Sequence, residues 1–288
     1  MNFSNISTTL SFPFAQHALI AATLIAIISG LIGPFVAARD MAFAVHGTAE
    51  LSFTGAAAGL LIAHDAVNGA LIGSLVVATA IGVLGARQSE RNTAIGVILG
   101  FGLGLGFYLL SFYSGFGPEA LNILVGSIVS VSTHQIVVLC AIAVVVIAVM
   151  AVLYRPLLFA SIDPEVAAAR GVRTRLVGLV FVYVLAITVT EAAQIVGTLL
   201  VLSLAITPAA AARRFTAHPL LTSLLAIVFA LIAADGGVLL SFLFIDSNVK
   251  ISVYITFISF ALYLIGLGVD ALKRDPRARR NGGDPDRT

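Results

Sequence analysis

His46 and Glu50 lie four residues apart in the stretch Met41–Ala63, whose other side chains are apolar or small. On a helix this spacing places the imidazole and the carboxylate on one face. One nitrogen ligand and one carboxylate suit a borderline divalent cation such as zinc. The alternative is a His–Glu pair that satisfies its own hydrogen bonds and joins two helices.

The composition is that of an integral membrane protein. The chain is 59% hydrophobic and 10% charged, and apolar stretches of about 20 residues, each long enough to cross a bilayer, recur along it. Counted from Arg39 and Asp40 at about 1.5 Å per residue, Glu50 lies roughly 15 Å along its helix, near the middle of a hydrocarbon core about 30 Å thick. Ionisable groups at that depth are costly and usually mark a path for a substrate, an ion or protons.

We predict an all-α, polytopic membrane protein with about nine transmembrane helices. The spans are expected near 16–37, 42–63, 66–86, 92–113, 134–154, 176–193, 194–212, 219–243 and 249–270. When the chain is folded through them, its basic residues fall on one side, and only Lys250 falls on the other. Positive loops mark the cytoplasm, which places the N-terminus outside and the C-terminus inside.

The segment Pro118–Thr133 does not fit as a span, because a full crossing would move the basic loop Arg155–Arg175 to the outside. We expect a short re-entrant or surface helix within 116–133, buried by protein. A ten-span arrangement with a different N-terminal half is the alternative. Residues 1–272 would form the transmembrane domain, and 273–288 a charged, disordered cytoplasmic tail near anionic lipid.

The loop Arg155–Arg175 carries a complete set of helix-end signals. Asp163 is a good N-cap, proline follows it at the first helical position, and Glu165 occupies the first turn. The helix is expected to end at the cationic Arg170 and stop at Gly171. A helix this short is marginal unless it docks on something, so we favour a docking helix over a plain connector.

The glycine-rich span Gly96–Gly106 resembles a phosphate-binding loop only superficially, because that motif ends in Gly-Lys-Ser/Thr. The two lysines, Lys250 and Lys273, do not follow glycine. The chain therefore has no nucleotide-binding loop of its own. If it pumps, the energy comes from a partner or from an ion gradient.

Three blocks resemble the zinc/manganese/iron permeases of bacterial ABC importers. They are Phe35–Phe43 with Gly55, the loop Asp163–Gly171, and Val196–Arg214, which runs from a glycine to Pro-Ala-Ala and basic residues. The resemblance covers about residues 15–270. It implies a homodimer in the bacterial inner (cytoplasmic) membrane, working with a cytoplasmic ABC ATPase and an extracytoplasmic metal-binding protein. It also implies that Asp163, Glu165, Arg170 and Gly171 couple the chain to the ATPase.

The chain departs from this family at the helix after Met41. Family members typically carry an aspartate there and, four residues on, a histidine thought to contact the metal in transit. His46 and Glu50 occupy the matching positions in reversed order. The pair still offers one nitrogen and one carboxylate, so we keep it as the first candidate for metal contact.

Glu191 and Asp235 are the second candidates for metal contact, with structural hydrogen bonding as the alternative. Both lie toward the predicted external side, late in their spans. Pro208 lies inside an apolar span, so we expect that helix to kink or break there.

The leading interpretation is a permease subunit, without catalytic residues or permanent cofactor, that carries zinc first and manganese second while a partner uses ATP. It would contact the lipid bilayer and no nucleic acid. A proton-coupled secondary transporter or channel, with His46 and Glu50 as a proton relay, is one alternative. A permease for a metal chelate such as a siderophore is another, although it would call for a wide, uncharged path.

Overall fold

The computed structural model describes residues 11–84, 88–113, 128, 131–244 and 249–278. Over this part of the chain the protein is all-α, as predicted. Its helices are α1 (Pro13–Ala38), α2 (Ala42–Ala63), α3 (Ala66–Leu84), α4 (Gln88–Ser111), α5 (Thr133–Ile162), α6 (Pro164–Ala169), α7 (Thr174–Val196), α8 (Thr198–Phe215), α9 (Pro219–Leu243) and α10 (Ile251–Ala278).

The long helices lie where the spans were predicted, and α2 and α9 match the predicted bounds at both ends. Five helices of the described chain are long and apolar enough to cross a membrane, namely α1, α5, α7, α9 and the Ile251–Ala271 part of α10. The chain is therefore a multi-pass membrane protein by length and composition. The number of nine crossings stays a prediction.

Two helices extend beyond their predicted ends. α5 continues through Pro156 to Ile162, so the first eight residues of the predicted loop are helical. α10 continues to Ala278, past the predicted domain boundary at 272. The predicted re-entrant or surface segment within 116–133 lies outside the described residues, apart from Ile128 and 131–133.

Of the kink or break expected at Pro208, the break lies elsewhere. α8 runs through Pro208 as continuous α-helix, and the chain breaks at Gly197, between α7 and α8. Gly197 has φ 99° and ψ 149°, a conformation that glycine adopts at little cost and that other residues avoid. Proline removes one backbone donor, which a helix packed among neighbours tolerates.

An aromatic cluster joins the helices around α1. The Phe35 ring lies edge-on to Tyr154 of α5, with centroids 5.3 Å apart, and edge-on to Phe181 of α7 at 6.1 Å. The Tyr154 hydroxyl lies 3.2 Å from the Ser223 hydroxyl of α9. Four helices are thereby fixed at one level of the bundle.

Helices α2 and α3 pack closely together, with glycines facing glycines. A Cβ built on Gly69 would lie 2.5 Å from the carbonyl oxygen of Gly55 and 2.6 Å from the Cα of Gly59. Gly73 is equally close to Gly55, since its Cβ would lie 2.7 Å from the Gly55 Cα. Small residues four apart let two helix backbones approach closely inside a membrane.

We expect Gly69→Ala to destabilise the permease, because the added methyl group meets backbone atoms that cannot rotate away. Overpacking of this kind costs on the order of 1–3 kcal/mol. Gly268→Ala in α10 is the control, since no described atom lies within 4 Å of its Cβ position. Thermal unfolding of the purified protein in detergent measures both, and equal melting temperatures for the two variants would contradict the packing argument.

Candidate metal-contact site

Helix α2, which carries His46 and Glu50, is held from two sides. α3 packs against it through the glycine contacts above. On the other side, Phe53 and Thr54 of α2 pack at Gly106 of α4, and the Thr54 hydroxyl donates a hydrogen bond of 2.6 Å to the carbonyl oxygen of Gly102. The position and rotation of α2 are therefore fixed by its neighbours.

Glu50 is 7% exposed and His46 is half-buried. Within the described part of the chain, neither side chain forms a hydrogen bond or an ion pair, with the other or with any third residue. The neighbouring hydroxyls of Thr48 and Ser52 donate to carbonyls of α2 itself. The alternative of a pair that satisfies its own hydrogen bonds thus has no contact to support it.

The pair offers two ligands from one protomer. The described residues contain no group of three or more His, Cys, Asp and Glu side chains that could hold a metal ion together. Neither Glu191 nor Asp235 is therefore brought into a shared site with His46 and Glu50. A cation at this pair would need further ligands from water or from a second chain.

The starts of α2 and α7 lie at the same end of the bundle. Arg39, Met41, Thr174 and Arg175 line one pocket, and the Arg39 guanidinium carbon lies 5.9 Å from the centre of the Phe181 ring. The sequence had placed Arg39 and Arg175 on one side of the membrane, and the structure places them together.

Helix α6 forms with the caps expected from its sequence. One Asp163 carboxylate oxygen accepts hydrogen bonds of 3.1 Å and 3.0 Å from the backbone amides of Glu165 and Val166. Gly171 has φ 85°, which suits glycine at the end of a helix. Glu165, Arg170 and Gly171 are exposed and Asp163 is half-buried, so three of the four residues predicted to couple to the ATPase are open to a partner.

The two second-rank acids differ in environment. Asp235 of α9 accepts a hydrogen bond of 3.0 Å from the Thr23 hydroxyl of α1, so it joins two helices. Glu191 of α7 is 4% exposed, and one of its carboxylate oxygens is buried with no hydrogen-bond partner in the described chain. The structural alternative therefore has support at Asp235 and none at Glu191.

The sequence did not predict the polar residues that surround Glu191 on α7. Thr188, Thr190 and Gln194 each carry a buried polar atom without a partner in the described chain. The spacing of three residues from Glu191 to both Thr188 and Gln194 was the available signal. It was inconspicuous because threonine is common in membrane helices, where its hydroxyl usually bonds to its own backbone.

The turn between α2 and α3 is tightly built. His64 has φ 56°, and Asp65 accepts from the backbone amides of Val67 and Asn68. The Asn68 side chain donates a further hydrogen bond of 2.6 Å to the second carboxylate oxygen. The backbone and side-chain amides of Asn68 hold the pKa of the Asp65 carboxyl below its usual range, so this turn stays anionic at neutral pH.

Comparison with known proteins shows which family this chain matches. The family profile described as "ABC 3 transport family" matches residues 11–269. The chain is 30% identical to the manganese transport system membrane protein MntC of Halalkalibacterium halodurans, covering 82% of this chain and 81% of that protein. It is 25% identical to the high-affinity zinc uptake system membrane protein ZnuB of Haemophilus influenzae, covering 80% and 88%.

Solved structures share the fold. The structure titled PsaBC from Streptococcus pneumoniae in complex with Fab superimposes with a TM-score of 0.85 at 24% identity, covering 96% of this chain and all of the matched one. An inward-facing putative metal-chelate type ABC transporter gives a TM-score of 0.65 at 16% identity, covering 86% and 84%.

Proposed function

Because the chain belongs to the ABC 3 transport family, we propose that it is the membrane permease of an ATP-driven importer of a divalent transition metal ion. The observation that supports the proposal is that the side chains of His46 and Glu50 have no hydrogen-bond or ion-pair partner in the described chain. A buried carboxylate and an imidazole lie four residues apart on α2, which we propose as one of the spans, and neither has a protein partner in the described chain. Uncompensated ionisable groups at that depth are expensive and are kept where they serve a substrate.

The pair suits the passage of a metal ion better than its storage. An ion that crosses a membrane must give up water, and an apolar conduit would make that prohibitive. Two ligands per protomer replace part of the hydration shell while binding weakly enough for release. In a homodimer the two pairs could face one pathway and offer up to four ligands.

Manganese and zinc are the two candidates for the cargo. The imidazole favours zinc, whereas manganese prefers more oxygen ligands. The relatives are named for both metals, with manganese named at 30% identity and zinc at 25%. We therefore propose manganese ahead of zinc, which reverses the order that the imidazole alone suggested.

The remaining parts of the assembly are proposed with the function. Two copies of the chain would work with two copies of a cytoplasmic ATPase, which hydrolyses ATP, and with an extracytoplasmic metal-binding protein, by alternating access. The chain would sit in the bacterial inner membrane with nine spans, its N-terminus outside and its C-terminus inside. Exposed helix α6 would dock on the ATPase, and the residues after 272 would lie on the cytoplasmic side.

We expect His46→Ala and Glu50→Ala each to reduce metal uptake at least tenfold, because each removes one of two ligands from the pathway. Radiolabelled manganese uptake into cells or proteoliposomes measures this. The exchanged pair His46→Asp with Glu50→His restores the family order and should recover part of the activity. If either alanine variant transports manganese and zinc at the wild-type rate while the complex assembles, the pair has no role in passage.

We expect Asp163→Ala to reduce the amount of ATPase that co-purifies with the permease at least threefold, because an N-cap contributes about 1 kcal/mol to a short helix. Asp163→Asn is the matched control, since asparagine caps as well as aspartate. Membrane insertion should be unchanged in both. Equal recovery of ATPase with the two variants would contradict docking through α6.

We expect a cysteine at Ala169 to react with a membrane-impermeant maleimide only from the cytoplasmic side, and one at Lys250 only from outside. Both positions are exposed, and the native Cys140 is first replaced by serine. Intact cells and inverted vesicles give the two orientations. Labelling of Ala169→Cys in intact cells would show that the span count before α6 is wrong.

A further inference from the structure

Four polar side chains of α7 form a second feature, which we name the α7 polar cluster: Thr188, Thr190, Glu191 and Gln194. Thr188 is 1% exposed, Thr190 0% and Glu191 4%. Each of the four carries a fully buried nitrogen or oxygen atom with no hydrogen-bond partner in the described chain. Buried polar atoms are nearly always paired with protein or with a bound species, so a group of four on one helix calls for a partner from outside the described chain.

The hydroxyls of the α7 polar cluster differ from others in the bundle. Thr48 and Thr79 donate to the carbonyl four residues earlier, and Ser74 donates to the carbonyl three residues earlier. This backbone bond satisfies a hydroxyl within a membrane helix. Thr188 and Thr190 do not make it, so both hydroxyls remain available to a ligand.

Helical spacing places the four residues along one broad arc of α7, with Thr188 and Thr190 at its two edges. Thr188 and Glu191 are three residues apart, as are Glu191 and Gln194, and Thr190 precedes Gln194 by four. Side chains three and four residues apart are neighbours on a helix surface. The α7 polar cluster presents a carboxylate, two hydroxyls and an amide, whose oxygen can replace its nitrogen by rotation of the group.

The α7 polar cluster lies at a different level from His46 and Glu50. Helices α2 and α7 pack together and start at the same end of the bundle, where Met41 and Thr174 line one pocket. Glu50 is eight residues from the start of α2 and Glu191 is seventeen from the start of α7. At 1.5 Å per residue the difference corresponds to about 13 Å along the bundle, toward the proposed external side.

We propose that the α7 polar cluster binds a hard divalent cation through oxygen, as an outer station that the cargo occupies before it reaches His46 and Glu50. The inference rests on the proposed function for the identity of the ion. Carboxylate, hydroxyl and amide oxygens suit manganese, and they offer zinc neither the imidazole nor the thiolate that it favours. The outer station therefore accepts manganese through oxygen atoms alone, without excluding zinc, and water completes the coordination.

The test measures Mn²⁺ binding to the purified complex of permease and ATPase in detergent, by equilibrium dialysis and by the electron paramagnetic resonance signal of the free ion. Glu191→Gln removes the charge while keeping the size and hydrogen-bonding capacity of a protonated glutamate. Thr190→Val removes the hydroxyl at nearly constant volume, and Thr190→Ser restores it. All three are examined alone and in a background of His46→Ala with Glu50→Gln.

We expect the His46→Ala, Glu50→Gln background to retain one Mn²⁺ per protomer. Adding Glu191→Gln or Thr190→Val should weaken that binding at least tenfold, and Thr190→Ser should retain it. If the Glu191→Gln variant fails to assemble, the comparison of Mn²⁺ binding between Thr190→Val and Thr190→Ser provides the test. A background that binds no Mn²⁺, or binding that Glu191→Gln and Thr190→Val leave unchanged, would overturn the proposal.

The binding result is separate from the proposed function. Normal uptake by the His46 and Glu50 variants would show that this pair has no role in transport. It would not affect the conclusion drawn from Mn²⁺ binding at the α7 polar cluster. Conversely, loss of uptake in those variants together with no Mn²⁺ bound at the α7 polar cluster would support the proposed permease function and contradict the outer station. An unchanged Mn²⁺ count in Glu191→Gln would show that Glu191 is not a ligand for the ion.

Discussion

The close packing of α2 against α3 is the constraint on which the rest of the structure depends. Gly55 and Gly59 meet Gly69 and Gly73 at distances that admit no side chain, and the Thr54 hydroxyl fixes the opposite side of α2 to α4. Attraction between helices in lipid comes from van der Waals contact and hydrogen bonds, since the hydrophobic effect gives none there. Close backbone approach is therefore what holds α2, and its two ionisable side chains, in one rotation.

A fixed helix allows an unpaired ionisable group to persist in the interior. Glu50 is buried and neither it nor His46 has a partner in the described chain, which a flexible helix would relieve by rotating toward water or lipid headgroups. The neighbouring hydroxyls of Thr48 and Ser52 are occupied by their own backbone. The stability of the glycine contacts thus offsets the cost of keeping two unpaired ionisable side chains on α2.

The two ends of the bundle are built from different chemistry. At the end where α2 and α7 begin, Arg39 lies by the Phe181 ring and the capped helix α6 is exposed, which suits contact with a soluble partner. Toward the other end, the turn with Asp65 is anionic and the α7 polar cluster offers oxygen atoms. An anionic turn raises the local concentration of cations, which is the charge that the proposed external side would need.

The sequence by itself determined the all-α class, the bounds of α2 and α9 and the caps of α6, because hydrophobic length and helix capping act over a few neighbouring residues. It also identified His46 and Glu50 as candidates from their spacing. Only the tertiary structure decided that the chain breaks at Gly197 while α8 continues through Pro208. Only the tertiary structure distinguished Asp235, which accepts a hydrogen bond from Thr23, from Glu191, which has a carboxylate oxygen without a hydrogen-bond partner in the described chain. Those outcomes depend on which helix lies opposite each residue, and distant segments of the chain supply that neighbour.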